Sequence, residues 1–300
     1  MTSRWLERRV LAYAHQGGAR QAPSSTLMAM EQALAAGATG LELDVHGTAD
    51  GHLVVCHDAT VDRTTDGTGA IAGLTLAQLQ RLDNAYWWAP GEQAVQGRPP
   101  GEYPLRGRAP TDPDLGIATL RSVLERFPGV ILNLDIKQTA PAVRPYEADL
   151  AAVLREHGRV DDVIVASFDD RATDAFSAAA PEIATSAGAM ATALFCRAVA
   201  VGEQPPAMRH AALQVPASYS GVELVTREVV AAAHRAGVAV HVWTVDDPAE
   251  MERLLDLGVD GIISDVPSVL VGALRKRGVA WPGPAGSTLG QPRPQLGFLP

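Results

Sequence analysis

Short apolar runs alternate with stretches of helical period along most of the 300 residues. VLAYA (10–14) is a brief apolar run closed by His15-Gln16-Gly17-Gly18, and STLMAMEQALAAG (25–37) has helical spacing with Ser24 or Ser25 as cap and Gly37 as stop. GLELDV (40–45) alternates: Leu41, Leu43 and Val45 point one way, and Glu42, Asp44 and His46 the other. Ala49-Asp50-Gly51 turns the chain into HLVVCHD, a second extended run ending at His57-Asp58. Helices are predicted at 74–82 (capped near Thr75), 119–127, 146–158, 171–180, 191–202, 226–237, 248–258 and 268–278. Strands are predicted at 130–137, 162–169, 183–188, 211–225 as one region, 238–245 and 260–267.

About eight strands with intervening helices are the repeat expected of an α/β protein of the (β/α)8 TIM-barrel class. An open doubly wound sheet is the alternative, but no GxGxxG follows a strand. The barrel should span 8–278. Residues 83–116, rich in Pro, Gly and aromatics, read as an insertion between repeats, and 279–300 as a Pro/Gly-rich tail outside the fold.

Composition narrows the function. A net charge of −9 argues against a nucleic-acid partner. Cys56 and Cys196 lie too far apart in sequence to suggest a disulfide framework, and Cys56, beside His57 on an extended run, should be packed. No signal peptide or membrane span is apparent, so a cytoplasmic protein is expected. Oligomeric state is not legible.

In barrels of this class the chemistry sits where strands end. Strand one ends in His15-Gln16, strand two in Glu42-x-Asp44 with His57 beyond the turn, strand three in Asp135-x-Lys137, and strand seven in His241-x-Trp243. Alternation puts Glu42 and Asp44 on one face, and Asp135 and Lys137 on another. Three carboxylates are expensive to bury unless a cation joins them. They suit Mg2+ or Ca2+, whereas zinc would use His or Cys. His46 is expected at the rim and Asp265 as a cap of the last helix. Trp243 could wall the pocket or pack in the core, and Tyr86-Trp87-Trp88 could cover the pocket, meet lipid, or form a small self-packed core.

These residues resemble the glycerophosphodiester phosphodiesterases. The resemblance rests on His15-x-Gly17, Glu42-Leu43-Asp44-Val45, Thr48-Ala49-Asp50-Gly51, Cys56-His57-Asp58, Arg63-Thr64-Thr65-Asp66-Gly67-Thr68-Gly69, Asn133-Leu134-Asp135-Ile136-Lys137 and Val242-Trp243-Thr244-Val245, in family order. It implies one divalent cation on Glu42, Asp44 and Asp135, acid–base catalysis by His15 and His57, and phosphate contact by Lys137. His15 is assigned as base and His57 as acid, with Gln16 and Trp243 as substrate contacts. Three departures stand out. Gln16 replaces the family's Arg, Pro23-Ser24-Ser25-Thr26 replaces Pro-Glu-Asn-Thr, and Asp135 stands where many members have Glu. Gly17-Gly18 and the Asn-x-Asp-Ile-Lys wording are similar to the lysophospholipase D-like branch.

The implied reaction is metal-dependent hydrolysis of glycerophosphodiesters or lysophospholipids, with transient membrane-surface contact, releasing an alcohol and glycerol phosphate or lysophosphatidic acid. The resemblance implies that a neighbouring substrate hydroxyl attacks first and forms a cyclic phosphate, which water then opens. Alternatives are a sphingomyelinase D-like or phosphoinositide-type phospholipase and, because of Gln16, a non-catalytic phosphoester-binding barrel.

Overall fold

A computed structural model describes residues 4–8 and 10–279. The strands in chain order are β1 (Leu11–His15), β2 (Gly40–Gly47), β3 (Leu53–Val55), β4 (Ile131–Ile136), β5 (Val163–Ala166) and β6 (Ala184–Ala187). β7 (Ala212–Pro216), the hairpin β8 (Ser218–Tyr219) and β9 (Val222–Glu223), β10 (Ala239–Trp243) and β11 (Gly261–Ser264) complete them. The helices are α1 (Arg4–Glu7), α2 (Leu27–Ala36), α3 (Leu76–Leu79), α4 (Leu120–Arg126) and α5 (Glu147–Glu156). After them come α6 (Asp170–Ala179), α7 (Ala189–Ala200), α8 (Arg227–Arg235), α9 (Pro248–Leu257) and α10 (Pro267–Lys276).

Eight parallel strands in the order β1-β2-β4-β5-β6-β7-β10-β11 close on themselves through β1 and β11, while β3 folds back antiparallel on β2. The expected barrel is therefore the observed fold. The 211–225 region divides into β7 and the separate β8–β9 hairpin. Helix α3 is shorter than its pattern because Leu79 is its buried residue, leaving little apolar face to extend.

Strand alternation sorts the side chains. Leu41, Leu43, Val45, Leu132, Leu134 and Ile136 face outward and pack with Met30, Leu120, Val123, Leu150 and Leu154 of the surrounding helices. Burying each such side chain contributes about 1.5–3 kcal/mol. The inward set is polar toward the carboxyl ends of the strands and bulky below. There Tyr13 and His241 lie with ring centroids 5.3 Å apart, over a floor that includes Trp5. Gly40 makes room for that layer, since a Cβ there would stand 2.8 Å from the Tyr13 ring.

Parallel register sets the site. His15 pairs with Glu42, Glu42 with Asn133, and Asp44 with Asp135, so the acidic pair of β2 sits beside β1 on one side and β4 on the other. Past β1 the chain turns through left-handed Gln16, Gly17 and Gly18. A Cβ on Gly17 would meet Ala29 at 3.0 Å, and one on Gly18 would meet Pro267 at 3.0 Å, so the doubled glycine lets the turn pack against α2 and α10. Ser25 also takes a left-handed conformation, and the cap of α2 falls beyond both expected serines, on Thr26, whose side chain accepts from the Ala29 amide.

Residues 83–116 hold two single-turn 3-10 helices, Pro100–Glu102 and Pro113–Leu115. Trp88 packs with Ala85, Leu105 and Leu115, and the Arg106 guanidinium lies over the rings of Tyr86, Trp87 and Tyr103 at 4.5, 4.4 and 3.9 Å. Of the readings open for these aromatics, the self-packed core is the observed one. No helix among the described residues is long and apolar enough to cross a membrane. The tail from residue 280 onward lies outside the described residues.

Candidate active site

The strand-end residues singled out in the sequence converge at the carboxyl end of the barrel, except His241, which lies below them against Tyr13. His15 Nε2 stands 3.8 Å from Glu42 Oε2, and the His15 and His57 rings meet edge to face with centroids 6.2 Å apart. Lys137 Nζ lies 2.8 Å from Asp44 Oδ1 and 2.8 Å from Asp135 Oδ2, bridging β2 and β4. Trp243 stacks edge-on against Phe168 at 5.4 Å and also packs on the apolar cluster that holds Tyr13, and Phe168 lies 5.9 Å from Lys137 Nζ.

Each histidine is backed by a carboxylate. His15 Nδ1 is 2.6 Å from Asp265 Oδ1, and His57 Nδ1 is 2.6 Å from Asp58 Oδ1. Arg63 holds Asp58 through Nε to Oδ2 at 2.6 Å and a second nitrogen to Oδ1 at 3.0 Å, the fork geometry that fixes a carboxylate plane. In both pairs Nδ1 is engaged, which leaves Nε2 as the ring nitrogen not held by the backing carboxylate.

The electrostatics are those of crowded buried charge. Burial lowers the pKa of His15, but the Asp265 hydrogen bond and the charges of Glu42, Asp265 and Asp44 outweigh it and hold the ring up at about 9. Burial, then the neighbouring Asp44, pushes Glu42 up to about 8. Burial raises Asp135 against the opposing charge of Lys137. Lys137 is lowered by burial, but Asp44 and Asp135 outweigh this and hold it above its ordinary range. Asp58 is raised by burial, yet His57 and Arg63 hold it below the usual carboxylate range.

The donor chemistry fits a hard divalent cation. Apart from the Lys137 ion pair, the buried Asp44 carboxylate receives no hydrogen bond, and neither does Asp135 Oδ1. Glu42, held near pH 8, is a third oxygen donor short of positive charge. No group of three or more His, Cys, Asp or Glu side chains among the described residues is already gathered as a metal cage. Here the Lys137 ammonium stands between Asp44 and Asp135.

Gln16 is 1% exposed, with Nε2 3.2 Å from His15 Nε2 and Oε1 without a hydrogen-bond partner. Two expectations are corrected. Asp265 does not cap α10, whose N-cap is Val266 without a side-chain hydrogen bond; its carboxylate is committed to His15 and to Gln93 Nε2 at 2.7 Å. His46 is buried instead of lying at the rim, because β2 runs on to Gly47 and β3 covers it; Nε2 is 3.4 Å from the His57 carbonyl, and burial lowers its pKa. Cys56 is packed as expected, with burial raising its thiol to about 12.

Asp58, Arg63 and Gln93 had no role legible in the sequence, and Asp265 only that of a helix cap. Asp58 and Arg63 carried a usable signal, an acid beside a histidine with a guanidinium five residues on. Asp265 and Gln93 did not, since Asp265 meets His15 from 250 residues away and Gln93 meets Asp265 from an irregular segment. Two surface cavities of about 390 and 400 Å3 lie elsewhere. One is beside Arg4, Trp5 and Asp161 and the other beside Pro205, Arg227 and Arg235, and neither gathers the strand-end residues.

Residues 15–269 match the model of the glycerophosphoryl diester phosphodiesterase family. A glycerophosphodiester phosphodiesterase of Caldanaerobacter subterraneus subsp. tengcongensis is 31% identical over 272 residues, covering 90% of this chain and 100% of the relative. An Oleispira antarctica phosphodiesterase, solved in complex with the product sn-glycerol-3-phosphate, aligns with a TM-score of 0.65 at 25% identity. The alignment covers 90% of this chain and 99% of that one. A glycerophosphoryl diester phosphodiesterase domain from Mycobacterium tuberculosis has the same fold, with a TM-score of 0.73 at 23% identity over 89% of this chain and 99% of that one. A barrel with this strand-end chemistry, matched over nearly its whole length, belongs to the glycerophosphoryl diester phosphodiesterase family, whose members are phosphoric diester hydrolases.

Proposed function

We propose that this chain hydrolyses glycerophosphodiesters or lysophospholipids to an alcohol and glycerol phosphate or lysophosphatidic acid, with one Mg2+ or Ca2+ held by Glu42, Asp44 and Asp135. The observation that carries the reading is the facing pair of histidines, each backed by a carboxylate at 2.6 Å, above three buried carboxylates and a lysine. A phosphodiester is anionic with a poor alkoxide leaving group, so its cleavage needs charge neutralisation and a proton donor. When bound, the divalent ion supplies positive charge to a non-bridging phosphoryl oxygen. Lys137 adds a second positive charge to the phosphate.

His15, once the Glu42 and Asp44 charges that raise its pKa are neutralised and the ring is neutral, takes the proton of the attacking hydroxyl at Nε2 while Asp265 steadies Nδ1, and His57 gives a proton from Nε2 to the departing alkoxide while Asp58 steadies its Nδ1. Trp243 and Phe168 wall the side where the organic substituent lies. The sn-glycerol-3-phosphate named for the Oleispira relative supports a glycerol phosphate product here. His57→Ala tests the acid role. It should depress turnover of an alkyl-alcohol diester far more than that of a p-nitrophenyl diester, whose leaving group needs no proton. Equal losses would assign His57 a structural role.

A further inference from the structure

We propose that Gln93, on the insertion between repeats, is a positioning residue for His15 and acts through Asp265; this rests on the reading of His15 as the proton acceptor. Asp265 is 3% exposed and its two oxygens are divided, Oδ1 to His15 Nδ1 at 2.6 Å and Oδ2 to Gln93 Nε2 at 2.7 Å. Its backbone is fixed separately, because the Asp265 amide donates to Asp246 Oδ1 at 2.8 Å and Ser264 Oγ to the same oxygen at 3.0 Å. With its main chain pinned, the freedom left to Asp265 is rotation of the carboxylate plane. One oxygen held by a histidine does not fix that plane. A second donor on the other oxygen does.

The donor comes from a segment docked against the turn that follows His15. The Gly91 amide donates to the Arg20 carbonyl at 3.0 Å, Arg20 Nε returns to the Gly91 carbonyl at 3.1 Å, and Trp88 Nε1 reaches the Ala19 carbonyl at 3.3 Å. Seating of the insertion and orientation of the His15 ring are thus joined by two consecutive hydrogen bonds. A residue outside the strand-end set thereby sets the aim of Nε2.

The test is a cycle of Gln93→Ala, Asp265→Ala and the double variant, with two readouts. These are kcat and KM on glycerophosphocholine with Mg2+ or Ca2+, and the 15N signals of the His15 ring in substrate-free protein. Gln93→Ala should lower kcat about 3- to 10-fold with KM held within about twofold, and should move the His15 signals, as loss of one hydrogen bond to an ionised positioning group does. Gln93→Glu should cost more, because it sets a carboxylate against Asp265. In the Asp265→Ala background the Gln93→Ala change should add almost nothing, since the relay is already cut. An undiminished Gln93→Ala loss in that background, or unmoved His15 signals in the single variant, overturns the proposal. If the wild type cleaves no phosphodiester, the functional reading falls, and the ring signals still decide whether Gln93 acts on His15.

Discussion

Replacing Lys137 by Met keeps the bulk of the stem and removes the ammonium that stands 2.8 Å from both Asp44 Oδ1 and Asp135 Oδ2. The two carboxylate side chains are 0% and 7% exposed, so water cannot take the place of the lost charge. Removing one partner of a buried pair costs about 3–5 kcal/mol. At about 2–3 °C per kcal/mol for a chain of this size, the variant should melt about 6–15 °C below wild type in chelator. A divalent ion should repair much of this, since Asp44 and Asp135 no longer share their oxygens with an ammonium. Occupancy at a hundredfold excess over the dissociation constant contributes about 2.7 kcal/mol. The assay is thermal unfolding followed by circular dichroism, with chelator and then with millimolar Mg2+ or Ca2+. The variant should gain more from metal than wild type gains, and should lose turnover because its phosphate contact is gone. Equal melting in chelator, or equal metal shifts in both proteins, would mean that the Lys137 ammonium does not hold these carboxylates.

Two further outcomes follow from buried groups. His241 is fully buried, and burial pushes its pKa down to about 3 from 6.5, so below pH 6.5 the unfolded chain binds a proton that the folded chain refuses. The stability is fully present above pH 6.5 and is lost as pH falls from 6.5 toward 3. His241→Gln should therefore reduce the acid loss of unfolding free energy, read from urea titrations, by about 2–3 kcal/mol between pH 7 and pH 4.5, and parallel pH curves would contradict this. Gln16→Arg should tighten product inhibition by glycerol phosphate about tenfold, because a guanidinium pairs two phosphate oxygens, while kcat need not rise. An unchanged inhibition constant would mean that position 16 does not face the phosphate.

The barrel was legible because its strands carry two signals at once. Leu41, Leu43 and Val45 mark the face turned to the helices, while Glu42 and Asp44 mark the interior, and parity ties the two assignments together. The same parity brought Asp135 and Lys137 to the site. What parity cannot give is the partner of a side chain at a strand end, which depends on loops arriving from elsewhere. Asp265, preceding Val266-Pro267, read as a local cap; the closing of β11 onto β1 placed it against His15 instead. His46 read as a rim residue because its burial comes from β3, after the turn. The irregular 83–116 segment has no period to read, so the contact of Gln93 with Asp265 was invisible, and so was the stacking of Arg106 on three aromatic rings.

The central claim is cleavage of a glycerol phosphodiester between phosphorus and the oxygen of the departing alcohol, dependent on a divalent ion. It is tested most directly by incubating the purified protein with glycerophosphocholine, glycerophosphoethanolamine and lysophosphatidylcholine in Mg2+, Ca2+ or chelator, and reading the phosphorus products by 31P NMR. Glycerol phosphate or lysophosphatidic acid should appear together with the free alcohol, and the signals should be absent in chelator. Phosphocholine as the product, full turnover in chelator, or no cleavage of any of the three would contradict it.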